Sequence, residues 1–243
     1  MTDYVKLSVE DKHHWKTNQE ITAWLCGQIA KDAMVLEVGA ARQVFPKTTH
    51  VVDCDEKIKL PPNLDLVICD VTKERLPFPD KMFDFCYCRH VIEDLYDPAL
   101  VLSEMSRVSK AGYIETPSPM AELCRGVDGP KYDGQSPDYR GYHHHHWIVW
   151  EHEGELKYFT KFPLIEHLFL DDATLVGILK TSAAHWNTSY LWDGEIRSRH
   201  IQETVDYTII EGYMKLLKDS LTEAVYSING FWEQKVIKPK QAA

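Results

Sequence analysis

Two groups of histidines in this 243-residue chain have the types and spacing to carry chemistry. His90 stands beside Arg89 just past the apolar run Phe83 to Tyr87, and Tyr142-His143-His144-His145-His146-Trp147 sets four imidazoles in succession. An imidazole titrates near neutrality, so it can take a proton from a reacting hydroxyl, hold a substrate by hydrogen bonds, or ligate a metal. In an extended segment His143 and His145 share one face and His144 and His146 the other, which lets one pair face a bound molecule. Two histidines on one face also suit a metal, but a catalytic metal site needs a third protein ligand, for which the sequence offers only the loop residues Asp128, Asp133 and Asp138. No residue is therefore assigned as a metal ligand. Arg125 and Arg140 flank the same loop and could hold a carboxylate or phosphate on a substrate.

A second set consists of acids that end short apolar runs. Asp53 and Asp55 follow His50 to Val52, and Asp70 with Val71 follows Leu64 to Cys69. At the carboxyl ends of neighbouring parallel strands such acids can accept hydrogen bonds from ribose hydroxyls and an adenine amine. Gly39-Ala40-Ala41, after Met34 to Val38, supplies a turn of small residues that lets the backbone approach a ligand closely.

The elements that would position these residues are readable from the same runs. Met34 to Val38, His50 to Val52, Leu64 to Cys69, Phe83 to Tyr87 and Gly112 to Glu115 are continuous apolar stretches suited to strands buried on both faces. Asp97-Pro98 opens a helical repeat of Leu102, Met105 and Val108 between the fourth and fifth strands. Earlier crossovers are too short for long helices. A helix is expected from about Glu20 to Lys31, another over Asp171 to Lys180, and a third over Glu211 to Leu221. The segment from Pro117 to Tyr142, rich in Pro, Gly and Asp, reads as an irregular lid. Hairpins are expected at Glu153-Gly154-Glu155 and at Asp193-Gly194. The fold class is thus α/β with a mostly parallel sheet, and the whole of 1–243 is expected to be one domain: a cofactor-binding half over 33–119, and a substrate-side insertion and sheet-completing hairpin over 120–205.

Composition narrows the function. Apolar residues are 44% and charged residues 26%, ordinary for a globular protein. A formal charge of -10 without a basic stripe repels a phosphate backbone and argues against nucleic acid. Apolar stretches fall short of the roughly 20 residues a membrane helix needs, and Met1-Thr2-Asp3-Tyr4 lacks a signal pattern, so the expectation is a cytoplasmic protein without a membrane partner. Six scattered cysteines suggest reduced core thiols; Cys86 and Cys88 lack zinc-knuckle spacing.

Taken in order, Val35 to Ala41, His50 to Asp55, Asp70, Leu76 to Asp84 and His90 to Leu95 resemble the class I S-adenosylmethionine-dependent methyltransferases, of the methyltransferase type 11 kind, over about residues 33 to 119. The resemblance implies a Rossmann-like seven-stranded sheet whose last strand is reversed, a place the Asp193-Gly194 hairpin could fill. It implies S-adenosyl-L-methionine as cofactor and S-adenosyl-L-homocysteine as product. Glu37, Gly39 and Ala41 then lie on the methionine side, Asp53 and Asp55 at the ribose, Asp70 and Val71 around the adenine, with Arg89 beside them. The sequence departs from the family where Ala41 replaces a second glycine and Arg42 to Pro46 replaces the start of a regular helix.

With that cofactor, His90, His144 and His145 are candidate bases, and Arg125, Arg140, His143 and His146 candidate acceptor contacts. The reading is methyl transfer to a small molecule or carbohydrate, most simply at a sugar hydroxyl. Its rivals are a binding or regulatory protein that kept the fold without turnover, and a metal-binding module built on the four histidines. Oligomeric state is not legible.

Overall fold

The computed structural model describes residues 19–40, 44–128, 139–202 and 209–220. Helix α1 (Gln19–Gln28) buries Leu25 against the sheet, three residues shorter at its C-terminus than its apolar pattern predicts. Strands β1 (Val35–Val38), β2 (His50–Asp53), β3 (Asp65–Ile68), β4 (Phe85–Arg89) and β5 (Ala111–Pro117) are mutually parallel where they pair. β1 and β4 lie at the centre and are the apolar runs buried on both faces.

Helix α2 (Pro98–Val108) makes the crossover from β4 to β5, turning Val101, Leu102, Met105 and Val108 inward. Its start is set locally: Pro98 occupies the first turn and the Asp97 carboxylate accepts the Ala99 N–H at 3.0 Å. Asp97→Ala should lower global stability by about 1 kcal/mol, readable as a shifted urea midpoint at unchanged slope. Arg107 on the same helix bonds Glu104 and the carbonyls of Leu76 and Phe78, fastening the Leu76 to Asp80 loop to the helix. That clamp holds the Glu104 carboxyl down at about 2, chiefly through Arg107.

The lid expected between Pro117 and Tyr142 is, in its first part, core. Helix α3 (Pro119–Leu123) is capped by Ser118, and Met120, Leu123, Cys124 and Val127 are buried with Trp186, Leu175 and Tyr213. Proline and glycine density in the sequence masked this apolar spacing; residues 129–138 lie outside the described residues.

Strands β6 (Trp147–His152) and β7 (Glu155–Thr160) form the first expected hairpin, turning through Glu153 and Gly154, both at positive φ. Helix α4 (Asp172–Thr181) follows, then β8 (Asn187–Asp193) and β9 (Ser198–Ile201), and residues 209–220 form α5. The second expected hairpin is not one. Its Asp193-Gly194 turn exists, but β8 pairs antiparallel with β5 while β9 pairs parallel with β7. Burial of Trp192 and Tyr190 draws β8 into the main sheet, where Gly112 leaves room for the Trp192 indole, and Tyr190 Oη bonds Arg197 to part the two strands.

The main sheet therefore has six strands, not seven, in the order β3-β2-β1-β4-β5-β8, and β8 is its reversed member. A three-stranded sheet, β6-β7-β9, stands beside it. Val149, Leu156 and Tyr158 of the smaller sheet share one apolar cluster with Leu36, Cys88 and Ile114 of the larger. Cys86 and Cys88 are buried there as free thiols. Among the described residues no helix is long and apolar enough to cross a membrane.

Candidate active site

The carboxyl ends of β1, β2, β3 and β4 lie side by side; Asp53 is the last residue of β2, Asp55 lies two residues beyond it, and Asp70 lies two residues beyond β3. After β1, Gly39 takes φ +73° and donates its N–H to the Val52 carbonyl at 2.8 Å. A Cβ there would sit 2.3 Å from Val91 Cγ2, so the turn after β1 is pressed against the turn after β4 and only glycine meets both demands. Glu37 is buried beneath the loop that follows, accepting the Phe45 N–H at 2.9 Å and the Thr48 hydroxyl at 2.5 Å. Burial pushes its carboxyl up to about 7, although Thr48, Phe45 and Arg89 pull the other way. Its visible work is to fix that loop. Ala41 lies outside the described residues.

Asp53 Oδ1 accepts the Asp55 N–H at 2.9 Å, and Asp55 accepts the Lys57 N–H at 2.9 Å, so each acid shapes its own turn. Among the described residues Asp53 Oδ2 has no hydrogen-bond partner. Asp70 is more occupied: Lys73 Nζ at 2.6 Å, with the Thr72 hydroxyl at 2.5 Å, holds its carboxyl down at about 2. Val71 is half-buried against the main apolar cluster.

His90 also has positive φ, 53°, a conformation uncommon outside glycine. Its N–H still reaches the Glu115 carbonyl at 2.8 Å, so the chain leaves the β4–β5 ladder and bends at once into a 3-10 turn, Ile92–Asp94. The imidazole lies between two buried carboxylates, with Nδ1 3.3 Å from Glu93 Oε1 and Nε2 3.7 Å from Glu115 Oε1. Arg89 Nε donates to the same Glu115 oxygen at 2.7 Å, and Tyr113 Oη donates to the other at 2.6 Å.

The four-histidine segment is not extended. It folds as a turn before β6, so the alternating faces expected of it do not exist. That turn is docked on the Ile92–Asp94 turn: the His146 N–H reaches the Glu93 carbonyl at 2.8 Å, and Trp147 Nε1 reaches the Leu95 carbonyl at 2.6 Å. His145 is buried, with Nδ1 2.6 Å from Glu122 Oε1. Burial opposes its charge, but the Glu122 carboxylate outweighs that and raises its pKa. His144 is exposed; partial desolvation and the neighbouring His145 lower its pKa. His143 pairs with Asp128 at 2.9 Å, and the His146 ring packs on Tyr96 with centroids 4.4 Å apart. The fold thus brings His90 and the histidine segment to two sides of one turn, Glu93 and Asp94.

Arg125 and Arg140, expected as acceptor clamps, are engaged inside the protein. Arg125 bonds Glu166 at 2.9 Å, and Arg140 bonds Asp172 and the Leu123 carbonyl, each at 2.6 Å. Four acids and a lysine at the site were not singled out from sequence: Glu93, Asp94, Glu115, Glu122 and Lys161. The first three adjoin predicted strand ends, which was a usable signal; Glu122 and Lys161 carried none.

Residues 38–114 match the family model described as a methyltransferase domain. No curated protein matches the chain. Among solved structures the chain is similar to an S-adenosylmethionine dependent methyltransferase from Mesorhizobium loti, with 14% identity over 42% of this chain and 56% of that one and a TM-score of 0.35. It is similar also to a SAM dependent methyltransferase from Aquifex aeolicus, with 18% identity over 53% of this chain and 76% of that one and a TM-score of 0.36. The chain spans only a little over half of the Mesorhizobium loti protein. The family match supports a methyltransferase domain over residues 38–114, on the parallel strands of the main sheet.

Proposed function

We propose that this protein transfers the methyl group of S-adenosylmethionine to a hydroxyl of a small-molecule or glycan acceptor, with His90 taking the proton and S-adenosylhomocysteine leaving. The observation that carries the reading is the His90 imidazole at the end of β4, set between Glu93 and Glu115. Methyl transfer from a sulfonium is an in-line displacement that asks for alignment, exclusion of water and a base for the hydroxyl proton. Two buried acids within 4 Å of the ring nitrogens fix the orientation of the imidazole.

The residues present fit the cofactor. Asp53 offers an unengaged carboxylate oxygen to a ribose, and Val71 an apolar edge to an adenine; the Asp70 carboxylate, held by Thr72 and Lys73, is the weaker contact. For the acceptor, Tyr96 is 80% exposed beside His146, and an open aromatic ring next to imidazoles suits the apolar face of a sugar. The acidic surface agrees with a neutral or cationic acceptor.

Calorimetry with S-adenosylhomocysteine tests the first half of this. The wild type should bind, Asp53→Ala should bind about 1–3 kcal/mol more weakly, and Asp70→Ala should lose less. Absence of binding by the wild type would remove the methyltransferase reading, and an Asp53→Ala variant that binds as the wild type does would move the ribose elsewhere. An acceptor screen with Tyr96→Ala, expected to raise KM for a sugar acceptor without altering cofactor affinity, tests the second half.

A further inference from the structure

The turn that carries Asp94 and the turn that carries the histidines place three metal-ligating atoms together. Asp94 Oδ1 lies 3.7 Å from His144 Nε2 and 3.7 Å from His145 Nε2, and one ligating atom from each of the three residues lies within 4.8 Å of the others. Ligand atoms around a tetrahedral ion with bonds near 2.1 Å are separated by about 3.4 Å, so both Asp94–histidine separations are within a few tenths of an ångström of that geometry, and the exposed His144 ring is the one that would adjust to close the third. His145 is held in the required way: Nδ1 is 2.6 Å from the buried Glu122 carboxylate, which fixes the proton on Nδ1 and leaves the Nε2 lone pair on the side of Asp94. A carboxylate behind a ligating histidine is the usual outer partner of a bound metal. Glu122 is itself anchored by Lys161 Nζ at 2.6 Å. His144 and Asp94 are exposed, so an ion could enter and would keep an open coordination position.

We propose that Asp94, His144 and His145 bind one divalent first-row transition metal, with Zn2+ the natural occupant of two imidazoles and a carboxylate and Glu122 as outer partner. A second trio, Asp128, His143 and His144, competes for His144, but its Asp128 carboxylate is already engaged by Tyr139 Oη at 2.7 Å and by His143 at 2.9 Å. The site lies one residue beyond Glu93, which faces His90, so the open position could take an acceptor oxygen and lower its pKa. That role rests on the methyl-transfer reading; the site itself does not, because metal binding is measured without any nucleoside present.

The test is titration of the chelator-stripped full chain, purified without nickel resin, first with Co2+ and then with Zn2+. One Co2+ per chain, with visible bands of a four- or five-coordinate ion that Zn2+ abolishes, is expected. His144→Ala and Asp94→Asn, both at exposed positions, should weaken binding at least tenfold with an unchanged circular dichroism spectrum. Glu122→Gln should weaken it about 10- to 100-fold while keeping the stoichiometry, and His143→Ala should leave it unchanged. Failure of the wild type to bind stoichiometrically, or loss of binding in His143→Ala with retention in Asp94→Asn, would overturn the assignment.

Discussion

Replacing Glu122 with alanine is expected to cost about 3–5 kcal/mol of folding stability, the range for breaking one side of a buried ion pair. The carboxylate is 1% exposed and its two oxygens meet His145 Nδ1 and Lys161 Nζ, each at 2.6 Å. Burial alone would raise its pKa, yet Lys161 and His145 outweigh burial and lower it, so it stands ionised between two donors. Truncation leaves the buried Lys161 ammonium with the Tyr142 carbonyl, at 2.6 Å, as its remaining acceptor of those described. Most of the expected loss is the cost of that stranded charge and not the worth of the pair. It follows that Glu122→Ala combined with Lys161→Met should be more stable than Glu122→Ala alone. Urea unfolding of the three proteins decides it: a loss under 1 kcal/mol in the single variant, or no recovery in the double, would mean that water reaches Lys161 and that the network is peripheral.

The second large effect concerns Glu37 and depends on pH. Its carboxyl is raised from about 4.5 to about 7 in the fold, chiefly by burial, so between those values the folded state holds a proton that the unfolded chain has released. Stability contributed by this residue is therefore full below pH 4.5, falls as pH rises toward 7, and is level above it. A shift of that size corresponds to about 3 kcal/mol across the window. Glu37→Gln keeps an oxygen for the Phe45 N–H and the Thr48 hydroxyl but cannot ionise. The variant should match the wild type near pH 4.5 and exceed it by up to about 3 kcal/mol at pH 8. A difference that stays constant from pH 4.5 to 8 would show that the ionised Glu37 is as well solvated in the fold as in the open chain. The wild-type protein, on this account, tolerates a stability penalty at neutral pH to keep an acid under the β1–β2 loop, a pattern common where a loop meets a ligand.

Much of the parallel sheet was legible because its signals are local. A run buried on both faces has to be apolar throughout, a parallel strand has to end in a loop, and a helix opened by Asp-Pro announces its own first turn; β1 to β5 and α2 came from these rules within a few residues. Glu153-Gly154 likewise made its hairpin from its own backbone preference. The Asp193-Gly194 turn obeys the same chemistry and still did not make a hairpin, because the partners of β8 and β9 were chosen by where Trp192 and Tyr190 could be buried. Turn type is local; strand partnership is not.

The same division runs through the site. The residue types that end β1, β2, β3 and β4 were determined by the sequence alone, as was the presence of imidazoles able to act near neutrality. What faces them was decided only in three dimensions. Arg125 and Arg140 look free in the chain, yet they are drawn to Glu166 and Asp172, 41 and 32 residues distant, since a guanidinium among buried carbonyls must be neutralised. Glu122 lies 23 residues before His145 and 39 before Lys161, and the short range of hydrogen bonds means that no spacing rule connects them. A third metal ligand for two histidines on one face was expected in the loop at Asp128, Asp133 and Asp138; Asp128 does group with His143 and His144, but Asp94, which groups with His144 and His145, follows a different strand and was not foreseen. Sequence set which groups can ionise, cap or turn; tertiary packing set which of them meet, because burial forces distant polar groups to satisfy one another.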